Sequence, residues 1–170
     1  QLVMPSRNLV EVPNGVAIEH AALAEPIAVC WHAVRLGVEA LFGDLVNAKC
    51  LVQGGGAIGV GSALSLRSMG AKDITIAELN SLRHGVLNAL GDFRVCNPER
   101  AGEGFDIIID CVGISQTRKA ASMMVAPGGV VVHVGLGNSV EGLAVRRMTL
   151  QEITFIGTYT YNQQDFHDTA

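Results

Sequence analysis

The fold follows from one segment, Cys50-Leu51-Val52-Gln53-Gly54-Gly55-Gly56-Ala57-Ile58-Gly59. It opens with a short apolar run of the kind found in buried strands, and a helical apolar period follows its last glycine. The glycines at positions 54, 56 and 59 have the G-x-G-x-x-G spacing at the turn between that strand and that helix. This context predicts a βαβ unit that binds a dinucleotide, because N–H groups at a helix N-terminus hold a pyrophosphate.

Each glycine of the motif has its own expected role. Gly54 permits the tight turn, Gly56 leaves room for the pyrophosphate, and Gly59 lets the helix approach the sheet. Ala57 and Ile58 begin the helix, so we expect them to share in cofactor binding. A glycine-rich turn without a ligand is the alternative.

From residue 49 onward, short β-branched runs alternate with helical periods, which is typical of repeated βαβ units. The predicted strands are 50–53, 74–77, 93–96, 106–112, 130–134 and 153–156, and the predicted helices are 57–69, 81–90 and 116–125. The last helix is expected to end before Pro127-Gly128-Gly129. We therefore predict an α/β fold, a doubly wound parallel sheet of the Rossmann type with six strands in the order 3-2-1-4-5-6. The short link 97–105 holds no helix, so the third strand is either a short edge strand or wrongly placed.

The first 48 residues do not follow this rhythm. The stretch 17–41 has helical spacing that we expect to be interrupted at Glu25-Pro26, because a residue before proline disfavours the α region. We interpret residues 1–25 as a lead-in from another domain and residues 26–170 as the dinucleotide-binding domain. Both ends of the sequence are expected to be cut, which makes the chain a fragment.

The second predicted strand ends at Glu78, about twenty residues past the glycines. An acidic side chain at this place accepts hydrogen bonds from the adenosine ribose hydroxyls and repels a 2′-phosphate, which favours NAD over NADP. Arg83 follows five residues later and can still reach the ribose edge. The alternative is that Glu78 is a solvated charge at a strand end.

Further candidates follow other strands, because ligands of open parallel sheets lie beyond the carboxyl ends of the strands. Gly113 and Gly135 are expected to let the backbone approach adenosine and nicotinamide, respectively. The whole set of candidates at these ends is Cys111, Val112, Gly113, Val134, Gly135, Leu136, Gly157 and Thr158. Each of them has a plain turn as its alternative.

Composition excludes several other functions. The chain has 12 Lys and Arg against 16 Asp and Glu and contains no basic run, so we expect no nucleic-acid or membrane-surface partner. Apolar stretches fall short of the roughly 18 uncharged residues of a spanning helix, and no secretory signal pattern begins the chain. The four cysteines have neither zinc-finger nor disulfide-framework spacing, which favours a reducing, cytoplasmic location. The expected partner is a small molecule.

Two segments, 21–34 (AALAEPIAVCWHAV) and 52–59 (VQGGGAIG), resemble the zinc-dependent medium-chain dehydrogenase/reductase family. Segments 127–129, 134–136 and 153–159 extend the resemblance over nearly the whole chain, and it is strongest to the polyol dehydrogenases. It implies a separate catalytic domain that precedes the cofactor domain and carries a Cys and a His-Glu pair for zinc. It also implies that Glu25 is the remaining acidic zinc-site residue, so zinc is expected only in the full-length protein and no catalytic residue within this chain.

The resemblance implies the NAD-binding domain of a dehydrogenase that moves hydride between NAD and a secondary alcohol, a polyol or sugar acid. Zinc would polarise that alcohol or the corresponding ketone. A zinc-free, NADPH-dependent reductase of the same superfamily and a dinucleotide-sensing module without chemistry remain as alternatives. The last strand, with neither proline nor charge from residue 153 to 161, predicts a homodimer or tetramer formed through this sheet edge. Cover of this edge by other parts of the protein is the alternative.

Overall fold

The computed structural model describes residues 3–138 and 140–170. A six-stranded sheet forms its centre, and every neighbouring pair of strands is parallel. The strands are β1 (Lys49–Gln53), β2 (Asp73–Ala77), β3 (Arg94–Cys96), β4 (Phe105–Asp110), β5 (Val125–His133) and β6 (Thr154–Gly157). Their order across the sheet is β3-β2-β1-β4-β5-β6, which confirms the predicted doubly wound fold.

Helices cover both faces of this sheet. They are α1 (Ile18–Ala21), α2 (Ala24–Ala40), α3 (Ala57–Ser68), α4 (His84–Ala89), α5 (Ser115–Met124), α6 (Val145–Leu150) and α7 (Gln163–Thr169). Because successive strand residues point to opposite faces, Ile107 and Ile109 belong to the core cluster that includes residues of α2, α3 and α4, whereas Ile108 belongs to the cluster that includes α5. Burial on both faces explains the unbroken apolar run in β4.

The helical region before β1 breaks at a different place from the predicted one. Helix α2 begins at Ala24 and contains Glu25 and Pro26 in its first turn. Proline is tolerated there because the first N–H groups of a helix have no intrahelical partner. The interruption therefore lies at Ala22 and Leu23, between α1 and α2.

By length and composition alone, the stretch 18–40 is long and apolar enough to cross a membrane. One such stretch is weak evidence, since the core helix of a globular domain passes the same test. Here Ala28, Ala33 and Val34 of α2 are fully buried, and Gly37 lies so close to the sheet that a Cβ there would meet Val132 and Ile107. Packing on the sheet thus accounts for the apolar face of α2.

Strand β5 starts five residues earlier than the predicted strand 130–134, at Val125, and includes Pro127-Gly128-Gly129. Val125 pairs with Phe105 and Val130 pairs with Ile107, so the register shifts between these two pairs. Proline fits such an irregularity because the ladder is already interrupted there. Pro127-Gly128-Gly129 therefore follows the end of a helix, as predicted, and also forms the irregular first part of β5.

The third strand is the short edge strand that one of the two interpretations required. It has three residues, and a 3-10 turn, Pro98–Arg100, replaces the helix that other βαβ units carry before the next strand. The predicted helix 81–90 is also partly a 3-10 turn, since Ser81–Arg83 precedes α4.

A buried ion cluster fixes α7 to α2. The carboxylate of Asp165, 1% exposed, accepts a hydrogen bond from Arg35 Nε at 2.8 Å and lies 2.6 Å from His32 Nδ1. Burial disfavours its charged form, but Arg35, the N–H of Asn162 and His32 together hold the pKa of Asp165 below its ordinary value. The C-terminal helix therefore packs on the α2 side of the sheet.

Candidate functional site

A cleft of about 870 Å³ opens at the carboxyl ends of β1, β2 and β4. It brings together six of the residues predicted from the sequence, and its walls add apolar side chains from neighbouring turns. The predicted residues in its lining are Gly54, Gly56, Glu78, Arg83, Cys111 and Val112, and the added ones include Leu79, Pro98 and Ile114. The predicted residues Gly135 and Leu136 line a separate cavity of about 760 Å³ near α5 and α6.

The glycine turn has the geometry that the motif requires. Gly54 has φ +91°, and its N–H donates to Ala77 O at 2.8 Å, which joins the turn to β2. A Cβ on Gly59 would collide with the carbonyl of Gly54. By contrast, a Cβ on Gly56, the N-cap of α3, would have no atom within 4 Å. Gly54 and Gly59 therefore serve the turn itself, whereas Gly56 leaves open space at the helix N-terminus.

Glu78 is buried and hydrogen bonded, with a side chain 7% exposed. Its Oε2 accepts from Gly55 N–H and its Oε1 accepts from Asn80 N–H, both at 2.7 Å. Arg83 Nη1 lies 3.5 Å from Oε2. The alternative of a solvated charge at a strand end is therefore wrong, because this carboxylate joins the glycine turn to the end of β2.

These contacts keep Glu78 ionised. Burial alone would raise its pKa, but the N–H groups of Asn80 and Gly55 and the nearby Arg83 lower the pKa below its ordinary value. A carboxylate oxygen accepts more than one hydrogen bond, so both oxygens retain capacity for a ligand hydroxyl.

Asp110, at the end of β4, organises the neighbouring strand ends and was missed in the sequence. It is fully buried, and its Oδ1 accepts from the N–H groups of Val112 and Gly113 at 3.1 and 2.9 Å. Its Oδ2 accepts from Thr117 Oγ1 at 3.0 Å and lies 3.1 Å from His133 Nδ1. An acidic residue after an apolar strand and three residues before a glycine is the turn signal that identifies it.

Gly113 and Gly135 have a packing role that the sequence did not reveal. Gly113 has φ +74°, and a Cβ on it would collide with the carbonyl group of Gly135. A Cβ on Gly135 would in turn collide with Val112 and with the N–H of Gly113. The two backbones therefore approach each other, and the close approach of a cofactor to them stays a prediction.

Arg118 of α5 is a second organising residue that was not predicted. It is 6% exposed, and all five of its N–H donors bond to neutral oxygens. The acceptors are the backbone carbonyls of Gly113, Asn138, Val140 and Glu141 and the side chain of Asn138, at 2.7–3.1 Å. Arg118 thus fastens described parts of the segment after β5 to the turn after β4.

The last strand places its predicted residues at the same end of the sheet. Thr158 N–H donates to His133 O at 3.0 Å, and Gly157 pairs with His133 across β5 and β6. A Cβ on Gly157 would have no atom within 4 Å. Val134 N–H donates to Asp110 O at 3.0 Å, so the ends of β4, β5 and β6 form one continuous rim.

The thiols lack reactive character. Burial raises the pKa of Cys30 to about 11 and the pKa values of Cys50 and Cys111 to about 12, and it also raises the pKa of Cys96. All four cysteines are free, and Cys111 Sγ lies 3.6 Å from Ser62 Oγ. They act as small apolar side chains, as the sequence predicted.

Glu25 lies exposed in the first turn of α2. Burial, together with the negative charge of Glu25, raises the pKa of Tyr161. Within residues 3–138 and 140–170, the structure contains no group of three His, Cys, Asp or Glu side chains that could hold a metal ion. The described residues therefore do not by themselves form a zinc site, which needs three or four protein ligands.

Residues 57–170 match the family model described as zinc-binding dehydrogenase. A probable diacetyl reductase [(R)-acetoin forming] of Saccharomyces cerevisiae is 31% identical over 98% of this chain and 42% of the relative. The L-idonate 5-dehydrogenase of Vitis vinifera is 30% identical over 95% of this chain and 47% of the relative.

The chain therefore spans about half the length of the curated relatives it matches. Among solved structures, L-idonate 5-dehydrogenase from Escherichia coli superposes with a TM-score of 0.82 over 94% of this chain and 47% of that one, at 23% identity. That likeness shows a shared fold, and the family match covers the glycine helix and everything after it. The chain belongs to the zinc-binding dehydrogenase family.

Proposed function

We propose that the chain binds NAD in the cleft and is the cofactor-binding part of a zinc-dependent dehydrogenase in the cytoplasm, acting on a secondary alcohol or its ketone. The observation that carries the proposal is the pairing of the glycine turn with Glu78 through the Gly55 N–H. The relatives named for diacetyl and L-idonate support a substrate of the polyol or sugar-acid class. NAD held in this cleft would supply the acceptor for the hydride of the alcohol carbon.

The residues of the cleft and of the adjoining α3 N-terminus hold the adenosine and the pyrophosphate. The open space at Gly56 admits the pyrophosphate to the N-terminus of α3, where Ala57, Ile58 and Gly59 present the free N–H groups of the first turn. Glu78 accepts hydrogen bonds from the ribose hydroxyls through the capacity left on its two oxygens. Its negative charge disfavours a 2′-phosphate.

The nicotinamide lies beyond this cleft, along the turns after β5 and β6. These turns carry Val134, Gly135, Leu136, Gly157 and Thr158 and form one rim with the end of β4, where Gly113 approaches the adenosine. Leu136 is 83% exposed, which suits a side chain that packs on a ligand or on another domain. Ligand contact at this rim excludes water from the carbon that receives the hydride.

Arg83 favours a second candidate, an NADPH-dependent reductase. Its side chain is 55% exposed and lies 3.5 Å from Glu78, so it can turn towards a 2′-phosphate. Calorimetric titration of the chain with NADH and with NADPH decides between the two. We expect NADH to bind at least about tenfold more tightly; tighter NADPH binding supports the second candidate, and no binding of either contradicts both.

For zinc, we propose that Glu25 joins ligands supplied from outside residues 1–170. A single exposed carboxylate supplies one ligand of the three or four that zinc requires, so the other ligands would have to come from groups outside the described residues. Turnover would then depend on zinc ligands outside this chain. If the whole protein lacks those ligands, the alternative hypothesis applies, namely a module that senses the dinucleotide without catalysing a reaction.

We further propose that two copies of the chain pair through β6. This strand is at the edge of the sheet, and α7 packs on α2. Since Thr158 N–H points to His133 O and directions alternate along a strand, the N–H groups of Phe155 and Gly157 point away from β5. Such an edge is a template for strand pairing.

Charge placed along this edge tests the pairing. Thr154→Lys with Tyr159→Lys changes two exposed side chains, and a two-fold axis brings the added charges together. We expect a monomer in sedimentation velocity. The matched control, Leu82→Lys with Val86→Lys, alters exposed residues near the opposite edge and should leave the dimer intact. A dimer that survives the first pair of changes places the interface elsewhere.

A further inference from the structure

One residue that lines the cofactor cleft carries a buried polar atom without a hydrogen-bond partner. Among the described residues, three buried side-chain N or O atoms lack a partner: Trp31 Nε1, Gln53 Oε1 and Thr75 Oγ1. Gln53 alone of these three lines the cleft. Its side chain is the last one of β1, immediately before the glycine turn, and the residue is 6% exposed.

An unpaired buried carbonyl is costly and uncommon. Native structures pair the large majority of buried polar atoms, and a lost partner costs about 1–3 kcal/mol. Leucine or methionine at position 53 would fill this place without that cost. The amide oxygen is therefore explained if a ligand brings the missing donor into the cleft.

The surroundings of Gln53 indicate which part of the ligand meets it. Glu78, the proposed ribose acceptor, lines the same cleft, so we expect the base attached to that ribose to lie near Gln53. Leu79, Pro98, Val112 and Ile114 supply apolar walls of the kind that hold a flat ring. In this setting the exocyclic amine of adenine is a donor, and glutamine amides pair with adenine edges in other contexts.

We propose that Gln53 recognises the adenine base, with its amide turned so that Oε1 faces the cleft and accepts a hydrogen bond from the exocyclic amine. This inference rests on the proposed binding of an adenine dinucleotide and makes Gln53 a specificity-determining residue. Glu78 selects the ribose, and Gln53 selects the base. The site then prefers an amino-purine over a purine that lacks the amine.

The test compares two ligands that differ only in that amine, AMP and purine riboside 5′-monophosphate. Each is used to displace NADH from the chain, followed by NADH fluorescence. We expect AMP to bind about tenfold more tightly to the unaltered chain, as one hydrogen bond to an otherwise unpaired acceptor provides. Gln53→Met should reduce this ratio to about one, since methionine keeps the volume and removes the acceptor.

Thr75→Val is the matched control, because it removes another unpaired buried oxygen that lies outside the cleft lining. In Thr75→Val, the ratio of AMP affinity to purine riboside 5′-monophosphate affinity should equal that of the unaltered chain. Thermal melting checks the fold of both variants, and neither should melt lower, since each removes an unsatisfied atom.

The outcomes separate the two proposals. An unaltered chain that binds NADH but both monophosphates equally overturns the role of Gln53 and leaves the proposed function standing, and this measurement needs no variant. A tenfold ratio that persists in Gln53→Met overturns the role as well. An unaltered chain that does not bind NADH overturns the proposed function and this inference with it.

Discussion

Two groups of turns at the carboxyl ends of the strands use glycine for opposite purposes. At Gly56, on the adenosine side, a Cβ would meet no atom within 4 Å, and the missing side chain leaves space for a ligand. At Gly113 and Gly135, in the turns after β4 and β5, a Cβ on either glycine would collide with the backbone of the other turn, and the missing side chains let the two turns touch. The first kind of glycine is expected to matter for binding, and the second kind for folding.

Gly113→Ala tests a glycine whose missing side chain lets two turns touch. It should give the largest change in the free energy of unfolding. The substitution forces an alanine to φ +74° and a collision with Gly135. We expect a loss of about 3 kcal/mol or more in the free energy of unfolding, measured by urea denaturation.

Gly104→Ala separates the two causes. Gly104 has φ +77°, but a Cβ there would have no atom within 4 Å. Its substitution should cost only the backbone strain, about 1 kcal/mol. Equal losses for Gly104→Ala and Gly113→Ala would show that the contact between the two turns contributes nothing.

Asp110→Ala should cause the next largest loss of stability, since it removes the carboxylate that accepts hydrogen bonds from the turn carrying Gly113. Two N–H groups, of Val112 and Gly113, lose their acceptor, which costs about 2–3 kcal/mol in the free energy of unfolding. Asp110→Asn keeps one oxygen for both N–H groups and should recover more than half of that loss. A failure of asparagine to recover stability would assign the effect to charge and not to the turn.

Gly56→Val tests the first kind of glycine. We expect NADH affinity to fall about tenfold or more, because the branched side chain occupies the space left for the pyrophosphate. Valine is also a poor N-cap, so about 1 kcal/mol of stability should be lost. Gly56→Ser, which keeps a good cap, should leave stability unchanged and still weaken NADH; unchanged affinity in both variants would remove the pyrophosphate assignment.

The smallest expected effect is that of pH on the choice between NADH and NADPH. The pKa of Glu78 lies below its ordinary value of 4.5, so its charge is present above that value and is lost as pH falls through the lowered pKa. The charge of this carboxylate should therefore be constant from about pH 5.5 to 8.5, and a change of the preference within this window should follow only the 2′-phosphate of NADPH, whose second pKa is about 6. Glu78→Gln should reduce the ratio of NADH to NADPH affinity across this whole pH range. An unchanged ratio in Glu78→Gln would mean that the charge of Glu78 plays no part in the choice of cofactor.

Local patterns were sufficient to predict the sheet. The alternation of β-branched runs with helical periods after residue 49 predicted six strands in the observed order. The glycine spacing predicted the turn at Gly54 and its position at the end of β1, because the steric demands of that turn are local. Predictions failed where one signal has two outcomes, as with Pro26 inside the first turn of α2 and Pro127 inside the bulged β5.

The organising residues of the site could not be predicted in the same way. The acceptors of Arg118 are carbonyls up to 23 residues away, and backbone carbonyls leave no trace in the choice of amino acid. The contact of Gly113 with Gly135 likewise depends on how two turns meet in space. The unpaired state of Gln53 is a property of the packed structure, since only the neighbours of an atom decide whether it has a partner.

The low reactivity of the four cysteine thiols makes site-specific labelling of this chain practical. Since burial raises the pKa values of Cys30, Cys50, Cys96 and Cys111, their thiolate fractions at neutral pH are small and alkylating labels should react with them slowly. A cysteine introduced at Leu82, which is 87% exposed beside the cleft, keeps an ordinary thiol and should be labelled far ahead of the native ones. A fluorophore at that position would report ligand arrival in real time without removal of a single native cysteine.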